Sequence, residues 1–235
     1  MITIARSVFK VVLLNSAREI KNYLGTAFPF GSSGNLLTCR HVIDFESSPG
    51  DMLAVVDGSG VPRVLSEQPR FSDSKLDLAL LPGVFSQHEV DARPVLTPST
   101  LKIGEDVYSY GYFAIGGDTN SLEAGYFGGK IVNFVDVEND ARFTLPFAVL
   151  EGMSGSPVMT YHNGVKIIGI ATGNRASRIQ ATEVVEVKND GEYFKETVNR
   201  IVEFGVSYHP RTLVRFAKEM ELTDVLVTAK RQELS

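Results

Sequence analysis

The chain of 235 residues is 43% hydrophobic and 22% charged, enough apolar material for one large or two small globular domains, so intrinsic disorder is excluded. A net charge of -5 provides no sequence-wide basic field for a polyphosphate backbone, so no nucleic-acid partner is expected. One cysteine, Cys39, and four scattered histidines, His41, His88, His162 and His209, make neither a disulfide framework nor a Cys-rich zinc site, so no metal or other cofactor is expected.

Arg6 and Lys10 interrupt the apolar N-terminal segment that ends in residues 11–14, and no small-residue cleavage site follows. No run approaches the roughly eighteen apolar residues of a membrane-spanning helix. A cytoplasmic protein without a membrane partner is therefore expected. Short runs rich in Val, Ile, Leu, Phe and Tyr follow, punctuated by 21 glycines and 10 prolines, and most are too short for helices. Strands are expected over residues 8–14, 24–30, 35–38, 52–57 and 78–81, then 106–110, 125–134, 143–144, 157–160, 165–171 and 201–207. Turn signals at 31–34, 48–50, 57–60, 162–164 and 189–191 separate them. The Pro-, Thr- and Ser-containing stretch 91–101 reads as a connector, and 174–199 as a charged excursion with a hairpin tip. After Pro210, the apolar residues Leu213, Phe216, Ala217 and Met220 recur at helical spacing, which predicts a C-terminal amphipathic helix packed on the second half. The expected fold class is all-β: two packed antiparallel β-barrels, residues 1–98 and 99–235, with a C-terminal helix.

Three segments carry chemistry. Leu36-Leu-Thr-Cys-Arg-His41-Val-Ile delivers a histidine from an apolar strand, and Lys75-Leu-Asp77-Leu-Ala-Leu-Leu sets an acid inside an apolar run, costly to bury unless hydrogen bonds meet its charge. Glu151-Gly-Met-Ser154-Gly-Ser-Pro-Val holds a serine between glycines at the mouth of a strand. Singly, each reads as a packed histidine, a strand-end aspartate or a plain glycine-rich loop. Their conjunction, with acid and base in one half and the serine in the other, points to nucleophilic catalysis. Asp73 is an alternative acid in a polar loop; His162 and His209 read as surface residues. Cys39, two residues before His41 in the expected strand, shares its face and reads as a small buried residue.

These segments resemble the trypsin-like (chymotrypsin-fold) serine proteases, especially the bacterial high-temperature-requirement-type and glutamyl-endopeptidase-type branches, without a peptide-binding regulatory domain. Gly25-Thr-Ala-Phe, Leu37-Thr-Cys-Arg-His41, Asp77-Leu-Ala-Leu-Leu and Gly152-Met-Ser154-Gly-Ser-Pro-Val carry the resemblance, together with Tyr110-Gly-Tyr, Gly125-Tyr-Phe-Gly-Gly and Gly169-Ile-Ala-Thr-Gly173. It implies that His41 takes the proton of Ser154, that a buried Asp77 orients the imidazole and offsets its charge, and that the Gly152 and Ser154 N–H groups form an oxyanion hole. Met153 stands where proteolytically activated members carry an acid, so that activation route is not expected. Ser156 follows the Ser154-Gly155 pair as in the glutamyl type, but Ala171 replaces the glutamate-reading histidine and Ala148 the aspartate of Lys/Arg-cutting members. Ala148, Ala171 and Gly173 are thus expected to line an uncharged pocket and cleft edge. The implied function is a serine endopeptidase acting on a protein or peptide through an acyl-enzyme, with a recruiting or regulatory protein as a further partner. A catalytically silent module gripping peptides by strand addition, and an ester hydrolase, are the alternatives.

Overall fold

Phe9–Leu14 (β1) is apolar at every position except Lys10, as a strand buried on both faces requires. It pairs antiparallel with Ile20–Pro29 (β2) on one side and Met52–Val56 (β4) on the other. Leu36–Thr38 (β3) joins β2 to Ala79–Leu81 (β7), while Pro62–Val64 (β5) and Arg70–Phe71 (β6) close the two edges. The first sheet thus runs β5-β4-β1-β2-β3-β7-β6. The computed structural model describes residues 7–31, 33–45, 48–72, 75–83, 95–96, 101–115, 118–137, 140–161, 164–187, 193–222 and 225.

The second sheet is built from Asp106–Ile115 (β9), Asp118–Lys130 (β10), Asn133–Val137 (β11), Asp140–Thr144 (β12), Pro157–Thr160 (β13), Lys166–Val187 (β14) and Tyr193–Tyr208 (β15). Its order is β10-β9-β13-β14-β15-β12-β11, and Val95–Leu96 (β8) lies parallel to β14 inside the expected connector. The architecture is all-β, a double β-barrel with a C-terminal helix.

Several expected strands change length for identifiable reasons. The run 125–134 is two strands, because Ile131 N turns to Glu105 O and Val132 N to Thr144 O, so the chain changes partner strand there. The described parts of the excursion 174–199 lie in two strands, β14 pairing antiparallel with β15 as far as Val187 and Tyr193. Strands β5 and β6 escaped the sequence pattern because they are only three and two residues long and at edges, where a leading proline such as Pro62 is tolerated. Asp73, His88, His162, Lys188, the 189–191 tip and the Arg178 side chain lie outside the described residues.

The helix Pro210–Glu219 has proline at its first turn, as its sequence requires, and buries Leu213, Phe216 and Ala217. It packs on both halves rather than on the second alone. Phe216 meets Phe30 of the first half at 6.3 Å between ring centroids, and Arg70 of β6 donates to Met220 O at 3.0 Å. On the other side Thr212 Oγ1 donates to Ala141 O at 3.0 Å.

His209, expected at the surface, is only 9% exposed and caps this helix, its Nδ1 accepting from Arg211 N at 3.2 Å. Burial, reinforced by the Arg211 charge, lowers its pKa to about 4. The folded chain therefore keeps a neutral imidazole while the unfolded chain takes up a proton near pH 6.5. The stability this neutral imidazole supports is complete above about pH 6.5 and is lost as pH falls toward 4, about 2 kcal/mol of it between pH 7 and 5. His209→Asn keeps a capping acceptor without titrating. Urea unfolding at the two pH values should show the wild type losing about 2 kcal/mol more than the variant; equal losses would contradict the assignment.

Candidate active site

The histidine does not leave β3 on an extended chain. Cys39 ends the strand and opens one helical turn, Arg40–Ile43 (α1), which buries Val42 and Ile43 and turns His41 outward. Cys39 and His41 therefore do not share a strand face: Cys39 is fully buried, while the His41 side chain is 50% exposed. Burial, followed by the nearby Asp77 charge, raises the Cys39 thiol pKa, and Sγ donates weakly to Ala171 O at 3.4 Å.

Asp77 sits just before β7, between buried Leu76 and Leu78. Its Oδ2 accepts from His41 Nδ1–H at 2.7 Å and its Oδ1 from His41 N–H at 2.9 Å. Both carboxylate oxygens thus bind one residue, which fixes the imidazole's tilt and, in the neutral ring, puts the proton on Nδ1 and leaves Nε2 as the acceptor. The side chain is 34% exposed rather than fully buried, so solvent shares the hydration of its charge. From behind, the Asp77 backbone N–H donates at 3.1 Å to the hydroxyl of Tyr208, a fully buried residue at the end of β15. Arg142 holds that tyrosine, its guanidinium 4.7 Å from the ring centroid and its Nη2 donating to the hydroxyl at 3.3 Å.

Ser154 is half-buried on the turn before β13. Gly152 and Gly155 both have φ of +89°, the left-handed region that favours glycine. A Cβ on Gly155 would lie 1.9 Å from Thr26 O, so the turn reaches the first sheet only because this side chain is missing. Thr26 N in turn donates to Ser154 O at 2.9 Å. Gly155 N and Cys39 Sγ share the Ala171 carbonyl, which brings the serine turn beside the His41–Asp77 pair. Among the described residues no hydrogen bond joins Ser154 Oγ to His41; such contacts are commonly loose without substrate.

Of the expected pocket residues, Ala171 is wholly buried in the second core, while Ala148 and Gly173 are half-buried and Gly173 has open space at its Cβ position. A residue the sequence did not single out joins their segments. Asn174 Oδ1 accepts from Val149 N at 2.6 Å, and its Nδ2 donates to Val149 O at 2.9 Å and to Glu203 Oε2 at 3.1 Å. No spacing signal marks it. Thr26 lay within the quoted Gly25-Thr-Ala-Phe segment, but its side-chain partners are more than eighty residues away.

Among the described residues, one group has metal-ligating atoms close together: those of Cys39, His41 and Asp77, within 4.8 Å of one another. A cation there needs a thiolate and a free imidazole nitrogen. Burial keeps the thiol protonated, and Nδ1 already serves Asp77, so this donor set suits a hydrogen-bonded pair better than an ion.

A double β-barrel carrying a His–Asp pair on one half and a glycine-flanked serine turn on the other is the architecture of trypsin-like proteases. The family model of the trypsin-like peptidase domain matches residues 25–170, more than half of the chain, and the chain belongs to that family. Among solved structures it is similar to the HtrA-type protease AlgW with a decapeptide, at TM-score 0.59 and 15% identity over 93% of this chain and 65% of that one. The same protease with a tripeptide gives TM-score 0.59 and 16% identity over 92% and 60%. The chain thus spans less than two thirds of the length of these structures. No curated protein sequence matches it.

Proposed function

We propose that this protease is a serine endopeptidase in which Ser154 attacks the peptide carbonyl, His41 carries the proton and Asp77 orients His41. The carrying observation is the two-point bond from Asp77 to His41, at 2.7 and 2.9 Å. It presents the imidazole as a base whose positive form meets a carboxylate at once. Attack leaves charge on the former carbonyl oxygen, which the Gly152 and Ser154 N–H groups stabilise. Collapse expels the amine, which takes the proton from His41, and leaves an acyl-Ser154 that water hydrolyses by the same route. The test is labelling by a fluorophosphonate. Labelling abolished by Ser154→Ala and peptide turnover support the reading. A folded wild type that neither labels nor cleaves would favour the peptide-binding module, and ester turnover alone the esterase.

The residue before the cut should be small or medium and uncharged. Ala148 and Gly173 carry no charge, and the Asn174 amide, itself uncharged, ties their segments together through Val149. An uncharged site does not offset the desolvation of a buried Lys, Arg, Asp or Glu. A peptide-library cleavage profile should therefore be dominated by small or medium uncharged residues. Dominance of Lys/Arg or Asp/Glu in the wild type would overturn this model, the acidic case implicating Arg175.

A further inference from the structure

We propose that Thr26, on the first half of the molecule, is the positioning residue that sets the oxyanion hole on the second; this rests on the serine-protease reading above. The peptide units of the nucleophile turn are each held by the carbonyl. Glu151 O accepts from Ala114 N at 2.9 Å and Met153 O from Ser156 N at 2.9 Å. In a trans peptide the N–H points opposite the carbonyl, so the Gly152 and Ser154 N–H groups are turned away from these bonds. Among the described residues neither has an acceptor, as a hole awaiting an oxyanion requires.

Between those two units lies the Gly152–Met153 peptide, and its orientation decides whether both N–H groups point the same way. Met153 N holds one side of it by donating to Leu150 O at 2.9 Å. The other side is held across the molecule: Thr26 Oγ1 donates to Gly152 O at 2.8 Å. The same hydroxyl accepts from Tyr112 N at 3.1 Å, so its one proton is committed to Gly152. Thr26 N donates to Ser154 O, and Thr26 O accepts from Thr38 Oγ1 at 2.7 Å on the strand that leads to His41. All three polar groups of a fully buried threonine thus connect the histidine strand to the oxyanion turn. Gly152, at φ +89°, has the freedom to rotate this peptide once the hydroxyl is gone.

The experiment compares Thr26→Val, which keeps the shape and removes the hydroxyl, with Thr26→Ser, which keeps the hydroxyl. Thr26→Val is expected to lower kcat for a peptide amide about 100-fold, the scale of an ångström of misplacement at a catalytic site. KM should stay within about twofold, and Thr26→Ser should restore most of kcat. A general structural defect does not produce this split with rescue. Should Thr26→Val fail to fold, Thr26→Cys, with a weak donor of similar size, should give an intermediate kcat at wild-type KM. A kcat at the wild-type level in Val or Cys, a loss confined to KM, or a Thr26→Ser enzyme as slow as Thr26→Val would overturn the proposal. A wild type that takes no fluorophosphonate and cleaves no peptide overturns the serine-protease reading instead, which separates the two failures.

Discussion

Ser154→Ala is expected to lower kcat on the order of a million-fold, and His41→Ala by a similar amount, with the double variant no slower than either. In the proposed mechanism the hydroxyl and the imidazole perform one proton transfer, so removing either abolishes the attack and removing the second changes nothing further. Both changes should spare the fold. Ser154 is held by its backbone, through the bond from Thr26 N to Ser154 O, and the His41 side chain is half exposed on its helical turn. Single-turnover measurements on a peptide amide, alongside thermal unfolding of each variant, test both statements. A double variant a further thousand-fold slower than either single one would show that the two residues do not act as a unit.

The nucleophile turn and the aspartate were legible because each violates its local pattern. Ser154 sits between glycines where a strand begins, and Asp77 interrupts an otherwise apolar run; such local anomalies are what a candidate functional position leaves in a sequence. The alternation of short apolar runs likewise conveyed the all-β class. Illegible were features set by tertiary partners. The turn Arg40–Ile43 is too short to have a helical period, so the sequence read Cys39 and His41 as neighbours on one strand face when the structure buries one and exposes the other. His209 looked like a turn residue beside Pro210, and only Ala141, Phe134 and the helix it caps account for its burial. Tyr208 carries no signal at all, since its hydroxyl meets Asp77 across 131 residues of chain.

Those long-range partners have a common placement. Tyr208, from the second sheet, holds the backbone of Asp77 on the first, while Thr26, from the first, holds the turn of Ser154 on the second. Each half thus fixes a candidate catalytic group of the other. The relative position of the halves therefore sets the geometry of the proposed triad and oxyanion hole, and the helix Pro210–Glu219, packed on both, restrains that position.

Asp77→Asn is expected to lower kcat about 10,000-fold while leaving the melting temperature within a few degrees of wild type. The geometry states why the rate and the fold part company. An asparagine oxygen can still accept from His41 N–H in place of Oδ1, preserving the 2.9 Å bond that ties residue 77 to the helical turn. Its NH2 then stands where Oδ2 accepted from Nδ1 at 2.7 Å, and an amide donor there requires Nδ1 to be the acceptor. The imidazole proton moves to Nε2, the nitrogen that receives the Ser154 proton in the proposed mechanism, and that base is lost without any atom being displaced. The imidazolium also loses its counter-charge, so raising the pH does not restore the rate by supplying more neutral histidine. Steady-state kinetics across pH 6 to 9, with the histidine tautomer read by nitrogen NMR, check both parts. An Asp77→Asn enzyme within tenfold of wild type would mean that the Asp77 carboxylate does not set the histidine tautomer during turnover.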